Sequence, residues 1–235
     1  MQSINISEIN YKMTLMNPFE RMEWALKQFA DKFCATSSFG IQSAMMAYII
    51  HKVDANIPIL FIDTGYHFSE TLAYKEYLQK LFKLKIITIK PELTRIEYEM
   101  QYGNIFENDP DLCCKYNKVI PLKIALKDYD CWATGIRRRQ SAARQKTPFI
   151  AQANEADGSY KLAPLADFDD SAVSLFNQLY QLPSHPLLKK GYASVGCLPC
   201  TARTQAGEDE RAGRWKGKVK TECGIHLMHG NGEGI

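Results

Sequence analysis

Two close pairs of cysteines lie far apart in this chain, and they can act together only in a fold that brings their segments into contact. Cys197 and Cys200 form a C-x-x-C pair, whose intervening residues turn the backbone so that two thiolates converge on one centre. Cys113 and Cys114 are adjacent and far upstream. Four thiolates so arranged fit either a structural zinc ion or an iron–sulfur cluster, and the residues alone leave that choice open. Neighbouring helical residues point about 100° apart, so at Cys113 and Cys114 a zinc ion would be a tight fit and a larger cubane is easier to reach. Cys223 is then surplus. It closes a stretch from Gly191 to His226 rich in chemistry, lies between Glu222 and Gly224 and is followed by His226, which makes it the best nucleophile candidate.

The chain has 235 residues, 46% of them hydrophobic, enough for one well-packed domain with a tail. The formal charge of +3, spread along the length, does not imply a nucleic-acid surface. A small anion needs only a local cluster. The first residues carry polar and acidic positions throughout and no signal-peptide core. The longest apolar run, Ala44 to Ile50, is far short of the roughly 20 residues that span a bilayer. These features predict a soluble, cytoplasmic protein without a membrane partner, and in that reducing compartment seven cysteines read as ligands and catalysis rather than disulfides.

Periodicity predicts an amphipathic helix after Pro18, then a strand over Phe33 to Thr36 running through Ser37 and Ser38 into a helix from Ile41. Strand, small-residue loop and helix make an anion-binding arrangement, although a plain N-cap explains the loop equally well. Further strands are predicted over Ile57 to Ile62, Lys85 to Ile89 and Asp130 to Ile136, with an edge strand at Leu162 to Leu165. Helices are predicted over Ser69 to Phe82, Leu93 to Tyr102 and Ser171 to Leu182, and from Asp111, near its N-cap, with Pro121 kinking or breaking that last one. Asp63 and Thr64 fall beyond a strand's carboxyl end, where α/β sheets bind ligands, although an Asp that stabilises a turn is an equal reading. Lys118 lies four residues after Cys114 on one helical face, where an ammonium would offset thiolate charge. The run from Arg137 to Lys146 follows a strand end, so one or two of its five cations are expected to reach an anion. Cys34 and Cys131 read as buried strand residues.

The loop TSSFGIQSA, the strand end IDTGYHFSET, Cys113-Cys114 with Lys118, the run TGIRRRQSAAR, the segment GYASVGCLPCT and the terminal ECGIH together resemble the assimilatory adenylylsulfate and phosphoadenylylsulfate reductases over nearly the whole chain. The resemblance implies an α/β fold of the adenine nucleotide α-hydrolase type: an N-terminal helical segment (1–31), a nucleotide-binding domain (32–200) and a mobile C-terminal segment (201–235) bearing the thiol. It further implies a [4Fe-4S] cluster on Cys113, Cys114, Cys197 and Cys200, the set found in the adenylylsulfate branch. Cys223 would attack the sulfur of adenylylsulfate, and thioredoxin or a glutaredoxin-like dithiol would then free sulfite, in sulfate assimilation towards cysteine. Lys118, Arg144, Arg211 and Arg214 match the cations around the reacting anion, with His226 beside the thiol. Ser37 and Ser38 match the phosphosulfate loop, and Ile62, Thr64 and Gly135 the adenosine contacts. The loop SSFGIQS is more like that of the phosphoadenylylsulfate enzymes, which leaves tolerance of a 3′-phosphate open, as it leaves self-association. A zinc-stapled module whose arginine run binds nucleic acid is the rival reading, disfavoured by the slight charge and the lack of interleaved aromatics.

Overall fold

Phe33–Thr36 (β1), Ile59–Ile62 (β2), Ile86–Ile89 (β3) and Cys131–Thr134 (β4) form strands where the apolar runs predict them, in a computed structural model that describes residues 4–154, 158–205 and 207–225. Ile150–Asn154 (β5) and Ser159–Leu162 (β6) complete a six-stranded sheet among the described residues, of order β3-β2-β1-β4-β6-β5. The pairings are parallel except β5 with β6.

Two strand expectations need correction. The predicted edge strand at Leu162–Leu165 is in fact β6, shifted to Ser159–Leu162 and internal to the sheet, where Lys161 hides the apolar pattern by lying over the Trp132 ring at 5.7 Å. The true edge is β5, whose small residues give no strand signal. It is fixed by a remote side chain: Asn10 accepts from Ile150 N–H at 3.1 Å and donates to the Ile150 carbonyl at 2.8 Å.

Asn10 belongs to Ile6–Thr14 (α1), a helix missing from the sequence expectation, which placed its one N-terminal helix after Pro18. The break is local chemistry. Asn17 and Glu20 form a reciprocal capping box, and Pro18 occupies the first turn of Pro18–Phe29 (α2), where its missing N–H costs nothing. Ser43–Asp54 (α3) and Ser69–Phe82 (α4) make the crossovers of the parallel strands. Arg95–Tyr102 (α5) starts at a Thr94–Glu97 capping box, and Ile105–Asn108 (α6) is a single turn. Pro110–Cys114 (α7) is capped by Asp109, which accepts from Leu112 N–H at 2.9 Å; the expected cap, Asp111, lies inside the helix. Pro121 does not break the chain's course. A π turn over Lys115–Val119 widens the ladder ahead of it and leads directly into Ile120–Ala125 (α8). Asp170–Leu179 (α9) follows the sheet.

Alternation along the strands sends side chains to two cores. Phe33, Ala35, Ile59, Phe61, Cys131 and Ala133 face the larger one, packed with residues of α1 to α4 and α9. Cys34, Leu60 and Trp132 face a smaller one closed by Leu122 of α8, with Ile225 of the tail against it. Both strand cysteines are fully buried, as expected. Among the described residues no helix is long and apolar enough to cross a membrane.

Arg21 ties α1, α2 and the segment after β6 together. Its fork holds Asp167 at 2.7 and 2.8 Å, Nε donates to the Met13 carbonyl at 2.9 Å, and the guanidinium lies 3.9 Å from the Phe149 ring centroid. Removing one partner of such a buried network strands the others. Arg21→Ala is expected to lower unfolding stability by about 3 kcal/mol, read from urea denaturation, whereas the exposed Arg95→Ala changes it by less than about 1 kcal/mol.

Candidate active site

The carboxyl ends of β1, β2 and β4 open onto a cleft of about 210 Å³, as expected for a parallel sheet. Ser37 and Ser38 line it from the loop after β1, Ile62 and Thr64 from β2, and Gly135 from β4. The Ser37 hydroxyl accepts from Phe39 N–H at 3.1 Å, and Phe39, with φ of 49°, turns the chain while its ring is fully buried. The helix begins at Ser43, later than the predicted Ile41, and no side chain caps it, so its N-terminal end is suited to an external anion. Asp63 takes the turn role: its carboxylate accepts from Gly65 N–H at 3.1 Å. Gly135 is required by close approach, since a Cβ there would lie 2.8 Å from Met46 Cγ.

A second, narrow pocket adjoins the cleft, and Cys113, Cys114, Cys197 and Cys200 all line it. Cys197 and Lys118 belong to both walls. The structure therefore brings the two distant pairs together, with no disulfide among the described residues. Burial pushes the Cys113 thiol up to about 12 and Cys114 up to about 11, and raises Cys200 as well. Cys197 is the exception. Burial would raise it, but the Lys118 ammonium and a contact to Thr64 Oγ1 at 3.4 Å outweigh burial and hold it below the ordinary thiol value. Burial likewise pulls Lys118 down, while the negative forms of Cys197, Cys114 and Cys223 prevail and raise it.

Among the described residues no three His, Cys, Asp or Glu side chains are placed to hold a single metal ion. The four thiols line one pocket beside Lys118. Such an all-sulfur donor set fits a metal centre held by thiolates, an iron–sulfur cluster or a tetrahedral zinc.

The arginine run divides. Arg137 is fully buried and pairs with Glu210 at 2.9 Å and Asp170 at 3.2 Å; Arg138 donates to the Thr147 carbonyl at 2.8 Å; Arg139 is exposed. Arg144 reaches the cleft. Arg137 and Arg144 are thus buried, while Arg139 remains at the surface. Arg211 and Arg214 also line the cleft and flank the ring of buried Trp215, at 5.9 and 4.6 Å. Among the described residues Arg211 pairs with Glu222, and Glu210 with Arg137. Cys223 lines the cleft, while His226 lies outside the described residues. Trp215, Gln140 and His67 line it too without having been singled out. A tryptophan between Arg214 and Lys216 was the available signal for the first; nothing local marks the other two.

The acid beside the thiol is not a free charge. Glu222, 5% exposed, accepts from Arg144 at 2.8 and 2.7 Å, from Arg211 at 3.2 Å and from Ser141 at 3.0 Å. Burial would raise its pKa, but the Arg144 fork and charge, with Arg211, hold it below the usual carboxylate value. A carboxylate whose folded-state pKa is depressed contributes above its ordinary value of about 4.3, and the contribution is lost as pH falls through the lower folded value. Proteolytic release of the segment after Arg214 is thus expected to stay slow from pH 7 down to about 5 and to accelerate below about 4; Glu222→Gln should flatten that profile.

Residues 32–203 match the phosphoadenosine phosphosulfate reductase domain. A Streptomyces coelicolor protein named adenosine 5′-phosphosulfate reductase is 41% identical over 208 residues, 88% of this chain and 87% of that protein. One of the same name from Halalkalibacterium halodurans is 39% identical over 225 residues, 95% and 97% of the two chains. The phosphoadenylyl-sulfate reductase of Candida auris, solved as a phosphate complex, superposes with a TM-score of 0.75 at 25% identity, over 86% of this chain and 99% of that one. On a match covering most of its length, and a sheet that carries the matched motifs to one cleft, the chain belongs to the phosphoadenosine phosphosulfate reductase domain family.

Proposed function

We propose that this protein reduces adenosine 5′-phosphosulfate to sulfite and AMP, using a thioredoxin-like or glutaredoxin-like dithiol protein as reductant in the sulfate assimilation of a reducing cytosol. The observation that carries the reading is the position of Cys223 in the same cleft as Lys118 and Arg214, in a chain whose full-length relatives bear that enzyme's name. The Cys223 thiolate attacks the sulfonate sulfur; an S–S bond forms, the S–O bond to the phosphate breaks, and AMP leaves with that electron pair. A thiolate of the dithiol then attacks Cys223 Sγ, sulfite leaves with the pair of the S–S bond, and the second thiol resolves the mixed disulfide. Two electrons pass from dithiol to sulfur.

Negative charge gathers on sulfur and oxygen in the first step, and the cations lining the cleft oppose it. Ser37, Ser38 and the uncapped start of α3 suit the phosphate, while Ile62, Thr64 and Gly135 border the place for the nucleoside. Cys113, Cys114, Cys197 and Cys200 would hold a [4Fe-4S] cluster. Bound there, the cluster would supply a fixed body of charge behind Lys118, since the exchange at Cys223 needs no electron from it. A 3′-phosphorylated substrate is the second reading, favoured by the SSFGIQS loop and the Candida auris likeness.

Cys223→Ser is expected to lower sulfite release by roughly a thousand-fold or more while leaving iron content and visible absorption unchanged. Cys197→Ser should lose the iron. Lys118→Ala should cost roughly a hundred-fold in kcat/KM with the iron retained. Turnover of the two nucleotides on one anaerobic preparation decides between the readings; a preparation without iron and without activity on either sinks both.

A further inference from the structure

Two of the four cations at the cleft are already engaged by the protein itself. Arg144 meets Glu222 through both arms, Nε to Oε1 at 2.8 Å and Nη2 to Oε2 at 2.7 Å, and its remaining arm donates to Gln140 Oε1 at 2.6 Å. Arg211 donates to Glu222 Oε2 at 3.2 Å and to the Thr221 carbonyl at 3.0 Å. The Glu222 side chain is 3% exposed, an uncommon place for a carboxylate unless its partners are specific. Immediately after it comes Cys223, then Gly224 with φ of 86°, then Ile225, which packs against the core of Cys34, Leu60, Leu122 and Trp132. The thiol is thus held between an ionic anchor on one side and an apolar one on the other. Lys118 and Arg214 form no ion pair with a carboxylate among the described residues; Arg214 Nη1 donates to the Val195 carbonyl at 3.3 Å, and its buried Nε, like that of Arg211, has no partner there.

We infer that Glu222 is a positioning residue: clamped by Arg144 and Arg211, it seats Cys223 in the cleft. This seating rests on Cys223 being the sulfonate acceptor. It assigns the acid beside the nucleophile to geometry, with its charge already met.

The test reads the thiol's placement apart from turnover. In the iron-loaded protein, the rate of Cys223 alkylation by iodoacetamide is followed by peptide mass spectrometry for wild type, Glu222→Gln, Arg144→Lys and the double variant, beside kcat and KM for adenosine 5′-phosphosulfate. Each single variant is expected to raise the alkylation rate several-fold and to lower kcat by roughly ten-fold or more with KM within about two-fold, because a displaced nucleophile loses orientation and leaves binding intact. The double variant should be no worse than either single one, as for residues acting as a unit. Glu222→Asp keeps the charge and shortens the reach; it should fall between wild type and Glu222→Gln, and it carries the test if Glu222→Gln does not fold. Alkylation unchanged in Glu222→Gln, or Arg144→Lys raising KM while alkylation stays at the wild-type rate, overturns the inference. If alkylation shifts as described but wild type reduces neither nucleotide, the seating stands and the reductase reading fails.

Discussion

Lys118 packed against Cys197 is the junction on which the placement of the other functional groups depends. It joins three segments remote in sequence. The π turn after Cys114 carries Lys118; the end of β2 supplies Thr64, in contact with Cys197 Sγ; and the C-x-x-C segment is tied back to β2's loop by Leu198 N–H donating to the Tyr66 carbonyl at 2.7 Å. A lysine there is stabilised by the sulfur atoms' negative forms, and one thiol is acidified in return. Mutual dependence of this kind makes the two pockets one structure with a shared wall.

Much of this is legible in the residues themselves. β1, β2 and β4 are short and apolar and run into Ser, Thr, Asp and Gly, so both the sheet and its ligand-binding edge can be read from the residues. The pairing of distant cysteines followed from spacing and from the family likeness. Illegible were the features decided by remote partners: β5 has almost no pattern of its own and exists because Asn10 and β6 bond it. Lys161 masks β6, since a charged residue in a buried strand contradicts the alternation rule unless its neighbours are known.

The arginine run shows the same limit at the site. Composition marks a basic cluster, and motif matching selects Arg144, yet neither reveals that Arg137 is locked between Asp170 and Glu210 or that Arg144 faces Glu222. Each of those acids lies far along the chain. Charge in a sequence indicates a potential; the ion pairs made across the fold decide how much of that potential is left for a ligand.

The π turn over Lys115–Val119 has a bearing on how such a site tolerates change in length. A wide turn holds one residue more than the α-helical ladder around it, and each residue of a helix advances the phase by about 100°. Loss of a single residue between Cys114 and Pro121 would leave a regular helix of nearly the same length and apolarity, with the ammonium and the sulfurs rotated out of step. Substitutions along this segment can drift, whereas its residue count is fixed by angular registration.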